Sequence, residues 1–235
     1  MTEFTFACTG VHADRYAAGP TLVFRLRITA TGDSGDSGDA APVPVRVHAL
    51  ALRCQLRIEP ARRGYDGPET AALTDLFGER SRWGSTLQPV RFADVPLMVT
   101  GFTGETEADL VVPCTYDMDI AATRYADALD GGEVPLLMLF SGTAFTGPAG
   151  YRVEPVPWDR EATCRMPVGT WREMVEQHFP GCGWLRLPRA TLDALLAYRS
   201  RRALTSWEAT VARLLADGGE AAVPTAVPAT GRTAP

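Results

Sequence analysis

The feature that most constrains the fold is a repeated alternation of apolar and polar residues over the first two-thirds of the chain. Side chains of a β-strand point to opposite faces in turn, so period-two alternation predicts strands with one buried face. No helical pattern intervenes regularly between these stretches, which favours antiparallel sheets over β–α–β units. The sequence predicts an antiparallel β-sandwich or open barrel of about seven or eight strands. The alternating stretches are 4–8, 22–30, 43–59, 105–120, 134–145, 151–154 and 162–166. A further strand is expected over 87–92, and 95–100 either continues it or pairs with it.

Two of these stretches contain a local irregularity, and a proline-containing segment separates two others. Within 43–59 the apolar phase shifts by one residue, which predicts a β-bulge near Ala49. Pro113 interrupts another stretch and predicts an edge strand or a bulge, because proline has no N–H for the ladder. The segment Pro155 to Asp159 separates the last two alternating stretches, which are expected to pair with each other across it.

The sequence changes character at Pro167, where the apolar spacing becomes helical. Three helices are predicted from there, and Pro188 opens the second of them. The capping-box sequences Thr170-Trp-Arg-Glu173 and Thr205-Ser-Trp-Glu208 predict the starts of the first and third. Their apolar stripes need a surface to cover, so the fold class is expected to be α+β, with a C-terminal three-helix segment packed on the sheets.

Composition predicts the domain limits. We expect a single α+β domain over 1–217, with a β-rich part over 1–166 and a helical part over 167–217. The Gly-, Asp- and Ser-rich stretch 31–42 has little apolar area to bury and is expected to be a mobile loop. The Ala-, Pro-, Thr- and Val-rich stretch 218–235 is expected to be a disordered tail.

The charged residues exclude several function classes. The 23 basic residues are all arginine, and without lysine a P-loop or a lysine Schiff base is impossible. A net charge of −5 opposes non-specific attraction to nucleic acid or anionic membranes. The longest apolar run, Val134 to Phe140, is far shorter than the roughly 20 residues of a membrane span. Because the first residues also lack a signal-peptide pattern, a cytoplasmic protein is expected, with no nucleic-acid partner and no membrane span.

The cysteines and histidines do not predict a metal site. The five cysteines form no C-x-x-C pair and the three histidines are scattered, whereas zinc and iron–sulfur sites usually show short paired spacings. Cys54, Cys114 and Cys164 occupy apolar positions of alternating strands and are expected to be buried thiols. We therefore expect no metal and no cofactor, while any meeting of cysteines in space stays open.

An acidic strand face is the first candidate binding surface. It either meets a basic partner or a cation, or it is a solvated face paired with arginines of a neighbouring strand. The second interpretation is favoured, with Arg25 and Arg27 or Arg53 and Arg57 as the partners, because side chains two apart on a strand do not converge. The face consists of Glu105, Glu107, Asp109, Asp117 and Asp119.

Three loop tryptophans are the second candidate binding surface. Trp83, Trp158 and Trp184 lie in segments flanked by Gly or Pro, and exposed tryptophan is a frequent interface anchor. The alternative is that they close packing clusters. Trp171 and Trp207 fall in first helical turns and are expected to anchor the core.

Several phrases together resemble a known family. They are Cys54-Gln-Leu-Arg-Ile-Glu-Pro60, Leu76-Phe-Gly, Arg82-Trp-Gly84, Val112-Pro-Cys-Thr-Tyr-Asp117, Pro135-Leu-Leu-Met-Leu-Phe-Ser-Gly-Thr143, Pro157-Trp-Asp-Arg-Glu161 and Gly183-Trp-Leu-Arg186. Over about 20–215, apart from 31–42, the chain resembles an uncharacterised bacterial family. That family is classed as a domain of unknown function and is common in GC-rich Gram-positive bacteria. The resemblance implies proximity to nickel–iron hydrogenase genes and contributes no catalytic residues.

These observations favour a non-catalytic accessory or adaptor protein that acts through protein–protein contact. The resemblance implies a hydrogenase subunit or maturation factor as the partner. The lack of paired Cys or His residues argues against direct delivery of nickel or a cluster. Two alternatives stay open: a small-molecule- or lipid-binding β-module, and an enzyme whose site residues are dispersed along the chain. The sequence does not fix the oligomeric state.

Overall fold

The computed structural model describes residues 2–32, 43–114, 120–147, 152–181 and 187–219. The described residues form eight strands and seven α-helices. The strands are β1 (Thr2–Ala13), β2 (Thr21–Gly32), β3 (Val43–Pro44), β4 (Arg46–Ile58), β5 (Val90–Thr103), β6 (Glu105–Pro113), β7 (Glu133–Thr146) and β8 (Arg152–Pro167). The helices are α1 (Gly67–Ala72), α2 (Thr74–Phe77), α3 (Trp83–Thr86), α4 (Ile120–Asp127), α5 (Val168–His178), α6 (Arg189–Arg201) and α7 (Trp207–Asp217).

The strands form two antiparallel sheets of four strands each. In the first sheet β2 is central, with β1 on one side and β3 and β6 on the other. The second sheet has the order β5-β4-β7-β8. Because the strands belong to two sheets and not to one closed ladder, the architecture is a sandwich, and the expected α+β class is confirmed.

The buried faces of both sheets supply one apolar core. The alternation in β2 buries Phe24, Leu26 and Ile28 and leaves Arg25 and Arg27 in solvent. Across the core, the ring of Phe6 stacks on a β7 ring, Phe140, with centroids 4.2 Å apart. Each fully buried side chain of this size stabilises the fold by about 1.5–3 kcal/mol. Cys54 and Cys114 are buried among these residues, and Cys164 is nearly so, as expected.

The bulge expected near Ala49 is confirmed, and its extra residue is His48. Val47 pairs with Thr146 while Ala49 pairs with Phe145, so β4 has one residue more than β7 at this point. The ring Nε2 of His48 lies 2.7 Å from the carbonyl oxygen of residue 147. The phase change in the sequence therefore marks a real irregularity of the ladder.

The expected pairing of 151–154 with 162–166 is wrong, because both stretches belong to the single strand β8. Val153 pairs with Phe145, and Cys164 pairs with Leu136, so both halves pair with β7. The intervening prolines do not force a turn, since β8 is an edge strand that needs N–H donors on one side only. The same reason allows Pro96 within β5 at the opposite edge.

Helix α5 begins earlier than the capping box predicts. It starts at Val168, directly after β8, and Thr170 lies inside its first turn without a capping bond. Glu173 instead lies 3.1 Å from the guanidinium of Arg15. Trp171 is buried as expected, and its indole N–H donates to Asp127 Oδ1 at 2.8 Å.

The chain divides into two compact units, 1–183 and 184–235. The first contains both sheets and α1 to α5, and the second contains α6 and α7. The expected single domain over 1–217 stays a prediction. The main part of the expected mobile loop, 33–42, and of the expected disordered tail, 220–235, lies outside the described residues. Among the described residues, no helix has both the length and the apolar character needed to cross a bilayer.

The helices of the second unit begin close to the predicted positions. Helix α6 follows Pro188 as expected. Helix α7 is capped by Ser206, whose hydroxyl accepts from the Ala209 N–H at 3.0 Å, one residue later than the predicted cap. The expectation that Trp207 anchors a core is wrong, because this side chain is partly exposed and lies under the guanidinium of Arg199, 4.6 Å from the ring centroid.

Candidate functional site

A bulge in β8 holds Trp158 in solvent. On β7 a single residue separates Phe140 from Gly142, while three residues separate their partners Arg160 and Val156 on β8. The three include Trp158, whose surface is 87% exposed. Bulges of this kind turn a side chain away from the regular ladder. A large aromatic side chain is therefore presented to solvent by a hydrogen-bonded sheet and not by a long loop.

A charged pair lies beside Trp158 on the solvent-facing side of the second sheet. Arg53 on β4 donates from Nε to Asp94 Oδ1 at 2.6 Å and from Nη2 to Oδ2 at 3.0 Å. These bonds, together with the positive charges of Arg53 and Arg91, hold the pKa of Asp94 below its ordinary value despite partial burial. The same bonds raise the pKa of Arg53. The pair therefore has a fixed bidentate geometry, typical of Arg–carboxylate recognition.

Trp158 and this pair border a recess of about 230 Å³. Small-molecule sites usually measure roughly 300–1,000 Å³, so the recess suits one or two side chains better than a whole cofactor. Leu139 contributes apolar lining, and Gln55 and Ser141 contribute polar groups. The lining residues are Arg53, Gln55, Asp94, Leu139, Phe140, Ser141 and Trp158.

The sheet face around the recess is apolar towards Met98 and Val153 and basic towards Arg57 and Arg91. Met98 and Val153 are both largely exposed. Met98 lies on β5 and pairs in register with Ala51 on β4. In the other direction, Arg57 pairs with Arg91, and both lie at outward positions of the alternation. We call this surface, from Arg91 across the recess to Met98 and Val153, the outer face.

On the β4 and β5 half of the outer face, positive charges outnumber negative charges. That half carries Arg53, Arg57 and Arg91 against one carboxylate, Asp94. Arg57 Nε donates to the side-chain amide oxygen Oε1 of Gln55 at 2.8 Å, so the acceptor in this hydrogen bond is a neutral group. On β8 an outward Glu161 pairs in register with Leu139. A contacting segment with negative charge over β4 and β5 would therefore be attracted in spite of the net charge of −5.

The acidic strand face lies on the other sheet and is paired within it. Asp109 accepts from Arg25 Nε at 3.1 Å, and Arg27 lies 3.6 Å from both Glu105 and Glu107. Arg25 and Asp109 are direct cross-strand neighbours, as are Arg27 and Glu107. The favoured interpretation of this face is therefore confirmed for these three carboxylates, with the β2 arginines as partners. Asp117 and Asp119 lie outside the described residues.

The three loop tryptophans have different positions. Trp83 is only 7% exposed and donates from its indole nitrogen to the Gly78 carbonyl at 2.8 Å. Tyr65 and Phe77 pack edge-on against it, so Trp83 is a core residue and not a surface anchor. Trp184 lies outside the described residues. Of the two described ones, Trp158 alone has the exposure that a contact residue requires.

The sequence predicted Trp158 but missed its neighbours. The sequence offers Arg53 and Arg57 as one of two pairs of partners for the acidic strand, whereas the structure pairs them with Asp94 and Gln55. The sequence signal for the bulge that bears Trp158 is an alternating stretch interrupted by Pro-Trp-Asp. This pattern is compatible with a bulge as well as with a turn. Within the described part of the chain, no group of three His, Cys, Asp or Glu residues is placed to hold a metal ion.

Fold and surface together define a class: an α+β protein built on a two-sheet antiparallel sandwich, with one exposed apolar and basic face. The chain belongs to the Family of unknown function (DUF6084), whose model matches residues 1–223. The resemblance to an uncharacterised family is thereby confirmed. The expected distribution of that family and its proximity to hydrogenase genes stay predictions.

Comparisons with individual proteins add little. No curated protein matches the chain. A Bordetella pertussis protein provisionally named ApaA is 12% identical, with 71% of this chain and 94% of that chain covered, at a TM-score of 0.24. β-Glucosidase 3B from Thermotoga neapolitana, in complex with glycerol, is 12% identical, with 70% of this chain and 17% of that chain covered, at a TM-score of 0.23. Scores this low carry no argument about function.

Proposed function

We propose that this protein is a non-catalytic accessory protein that binds a partner protein through its outer face. The observation that carries the proposal is Trp158, a tryptophan 87% exposed on a hydrogen-bonded bulge beside a small recess. Tryptophan and arginine are the residue types most enriched among binding hot spots. Placing them on a rigid sheet lowers the entropy lost when a partner binds.

The expected occupant is a segment of a partner protein with an apolar side chain and nearby carboxylates. The apolar side chain fits the recess between Trp158 and Leu139, whose volume suits a side chain. The carboxylates meet Arg57 and Arg91, which exceed the local negative charge. The family resemblance suggests a nickel–iron hydrogenase subunit or maturation factor as this partner, and we propose those proteins as the first to test.

Replacing Trp158 by Ala is expected to weaken partner binding about 30-fold, the effect of losing roughly 2 kcal/mol at a hot spot. The melting temperature should change by less than about 2 °C, because the ring is exposed. The tagged protein is isolated from its native host, hydrogenase subunits and maturation factors are quantified in the eluate, and the recovered partner is titrated calorimetrically. Tyr16→Ala is the matched control, since it removes another fully exposed aromatic ring outside the outer face. Undiminished binding by the Trp158 variant, or no stoichiometric partner, would contradict the proposal.

Reversing one charge tests the expected acidity of the partner. Arg91→Glu should slow association threefold or more at low salt and reduce the dependence of binding on ionic strength. Stopped-flow or surface-plasmon measurements at several salt concentrations give both quantities. Arg80→Glu changes the net charge equally in an exposed turn elsewhere in the first unit and should bind as the unaltered protein does. Equal effects of both variants would mean that only net charge matters and would remove the charge argument.

A further inference from the structure

The edges of the two sheets meet where β1 lies beside β8. The N–H of Thr2 donates to Glu154 Oε2 at 3.0 Å, and Arg160 lies 3.7 Å from Glu3. Further along the same edges, the sulfur atoms of Cys8 and Cys164 are 2.9 Å apart, although 156 residues separate them in sequence. We call this line of contacts the seam.

The sulfur atoms of the two thiols at the seam are close to bonding distance. A disulfide has an S–S distance of about 2.04 Å, so the sulfurs need to approach by about 0.9 Å. Ion pairs and hydrogen bonds along the same edges already hold the strands together. The two strands are thus already held next to each other, and only this short approach of the sulfur atoms remains.

We propose that Cys8 and Cys164 form an oxidative modification site, which closes to an intramolecular disulfide on reaction with hydrogen peroxide. The Cys8 thiolate attacks one peroxide oxygen, the O–O bond breaks, and Cys8 becomes a sulfenic acid while hydroxide leaves and takes up a proton as water. The Cys164 sulfur then attacks the Cys8 sulfur, the S–O bond breaks, and a second water leaves. In sum, two thiols lose two electrons and two protons, and one peroxide is reduced to two waters.

The surroundings assign different roles to the two thiols. The hydrogen bond between the two thiols lowers the pKa of Cys8, which is also partly exposed. The same bond and burial raise the pKa of Cys164, which lies deeper. The thiolate is the reactive form, so Cys8 is expected to react first with peroxide and Cys164 to resolve the sulfenic acid.

The other described cysteines lack these features. Burial raises the pKa of Cys54 to about 12 and that of Cys114 to about 12. Both are fully enclosed by the core, so neither is expected to react with peroxide in the folded protein. Cys182 lies outside the described residues, and the experiment is therefore done with Cys182→Ser in every variant.

The test is a peptide map after treatment with one equivalent of hydrogen peroxide. Free thiols are blocked by alkylation, and trypsin is then applied without reductant. Because trypsin cleaves after arginine, the linked product joins peptide 1–15 to peptide 161–165. This product should dominate, disappear on reduction, and be accompanied by a melting temperature roughly 5–10 °C higher. Recovery of both peptides alkylated, or of Cys8 over-oxidised and unlinked, would overturn the proposal.

Two single variants separate the roles of the thiols. Cys164→Ser should let Cys8 accumulate as a sulfenic acid that dimedone traps, because the resolving thiol is absent. Cys8→Ser should give neither the linked product nor a dimedone adduct on Cys164. Dimedone adducts of equal yield on Cys8 in the Cys164→Ser variant and on Cys164 in the Cys8→Ser variant would contradict the assigned order. The peptide map and the dimedone adducts are measured on the isolated protein, so their outcome does not depend on whether the outer face binds a partner.

Discussion

Replacing Glu69 by Gln is expected to lower the free energy of unfolding by about 3–5 kcal/mol. The substitution removes the negative charge that compensates the Arg63 guanidinium, while the Arg63 side chain stays largely enclosed, with 12% of its surface exposed. Removing one member of a buried ion pair is costly because the other loses its partner without regaining water. Urea unfolding followed by circular dichroism measures the change as a lower midpoint at an unchanged slope.

The size of this effect follows from the contacts of the pair. Glu69 is only 4% exposed, and Arg63 Nη2 donates to its two carboxylate oxygens at 2.7 and 2.8 Å. The same carboxylate accepts the N–H of Asp130 at 3.0 Å. Arg63 Nη1 donates to the carbonyls of Gly131 and Glu133, both at 3.3 Å. The pair thus joins α1 to the turn before β7, and a glutamine would direct N–H groups towards the guanidinium.

Glu105→Gln is the matched control, with the same change of atoms at an exposed ion pair. Glu105 lies 3.6 Å from Arg27, and both side chains are about half exposed. Exposed pairs contribute about 1 kcal/mol or less, so this variant should remain close to the unaltered protein. If the two variants lose the same stability, burial does not determine the importance of the Arg63–Glu69 pair.

Features that depend on neighbouring residues in sequence were predictable. The period-two alternation of β2 follows from the geometry of a half-buried strand, and the structure has it at the expected residues. The phase shift near Ala49 marks the bulge because one inserted residue reverses the faces. The helical stripe containing Trp171 likewise identifies a buried face. In each case the sequence period alone carries the information.

Features that depend on which strands become neighbours were not predictable. Arg53 is followed in sequence by two strands with carboxylates, β5 and β6, and the order of the sheet decides that Asp94 on β5 is its partner. Trp83 and Trp158 have similar flanking residues, yet aromatic neighbours bury only Trp83. The meeting of Cys8 with a residue 156 positions away depends on the packing of two sheet edges. No local sequence pattern indicates which residues from distant parts of the chain come into contact.

The candidate site itself depends on a close approach between β4 and β7. At Gly142 an added Cβ would collide with the carbonyl oxygen of Ala51 on β4. Gly142 also pairs with Val156, at the point where the bulge bearing Trp158 begins. A glycine in a strand often marks such a close backbone contact. The residue that permits the two central strands to pair here therefore also positions the bulge.

Gly142→Ala is expected to destabilise the protein by about 3 kcal/mol or more, because the backbone of β4 or β7 must move to accept the new methyl group. Gly10→Ala, in β1, places its methyl group where no atom lies within 4 Å and should change stability by less than about 0.5 kcal/mol. Urea unfolding compares the two. Because the displaced backbone adjoins the bulge, the Gly142 variant should also bind the partner more weakly at temperatures where it remains folded. A stable Gly142 variant would mean that the two strands can separate at this point, and that the bulge is held by β7 and β8 alone.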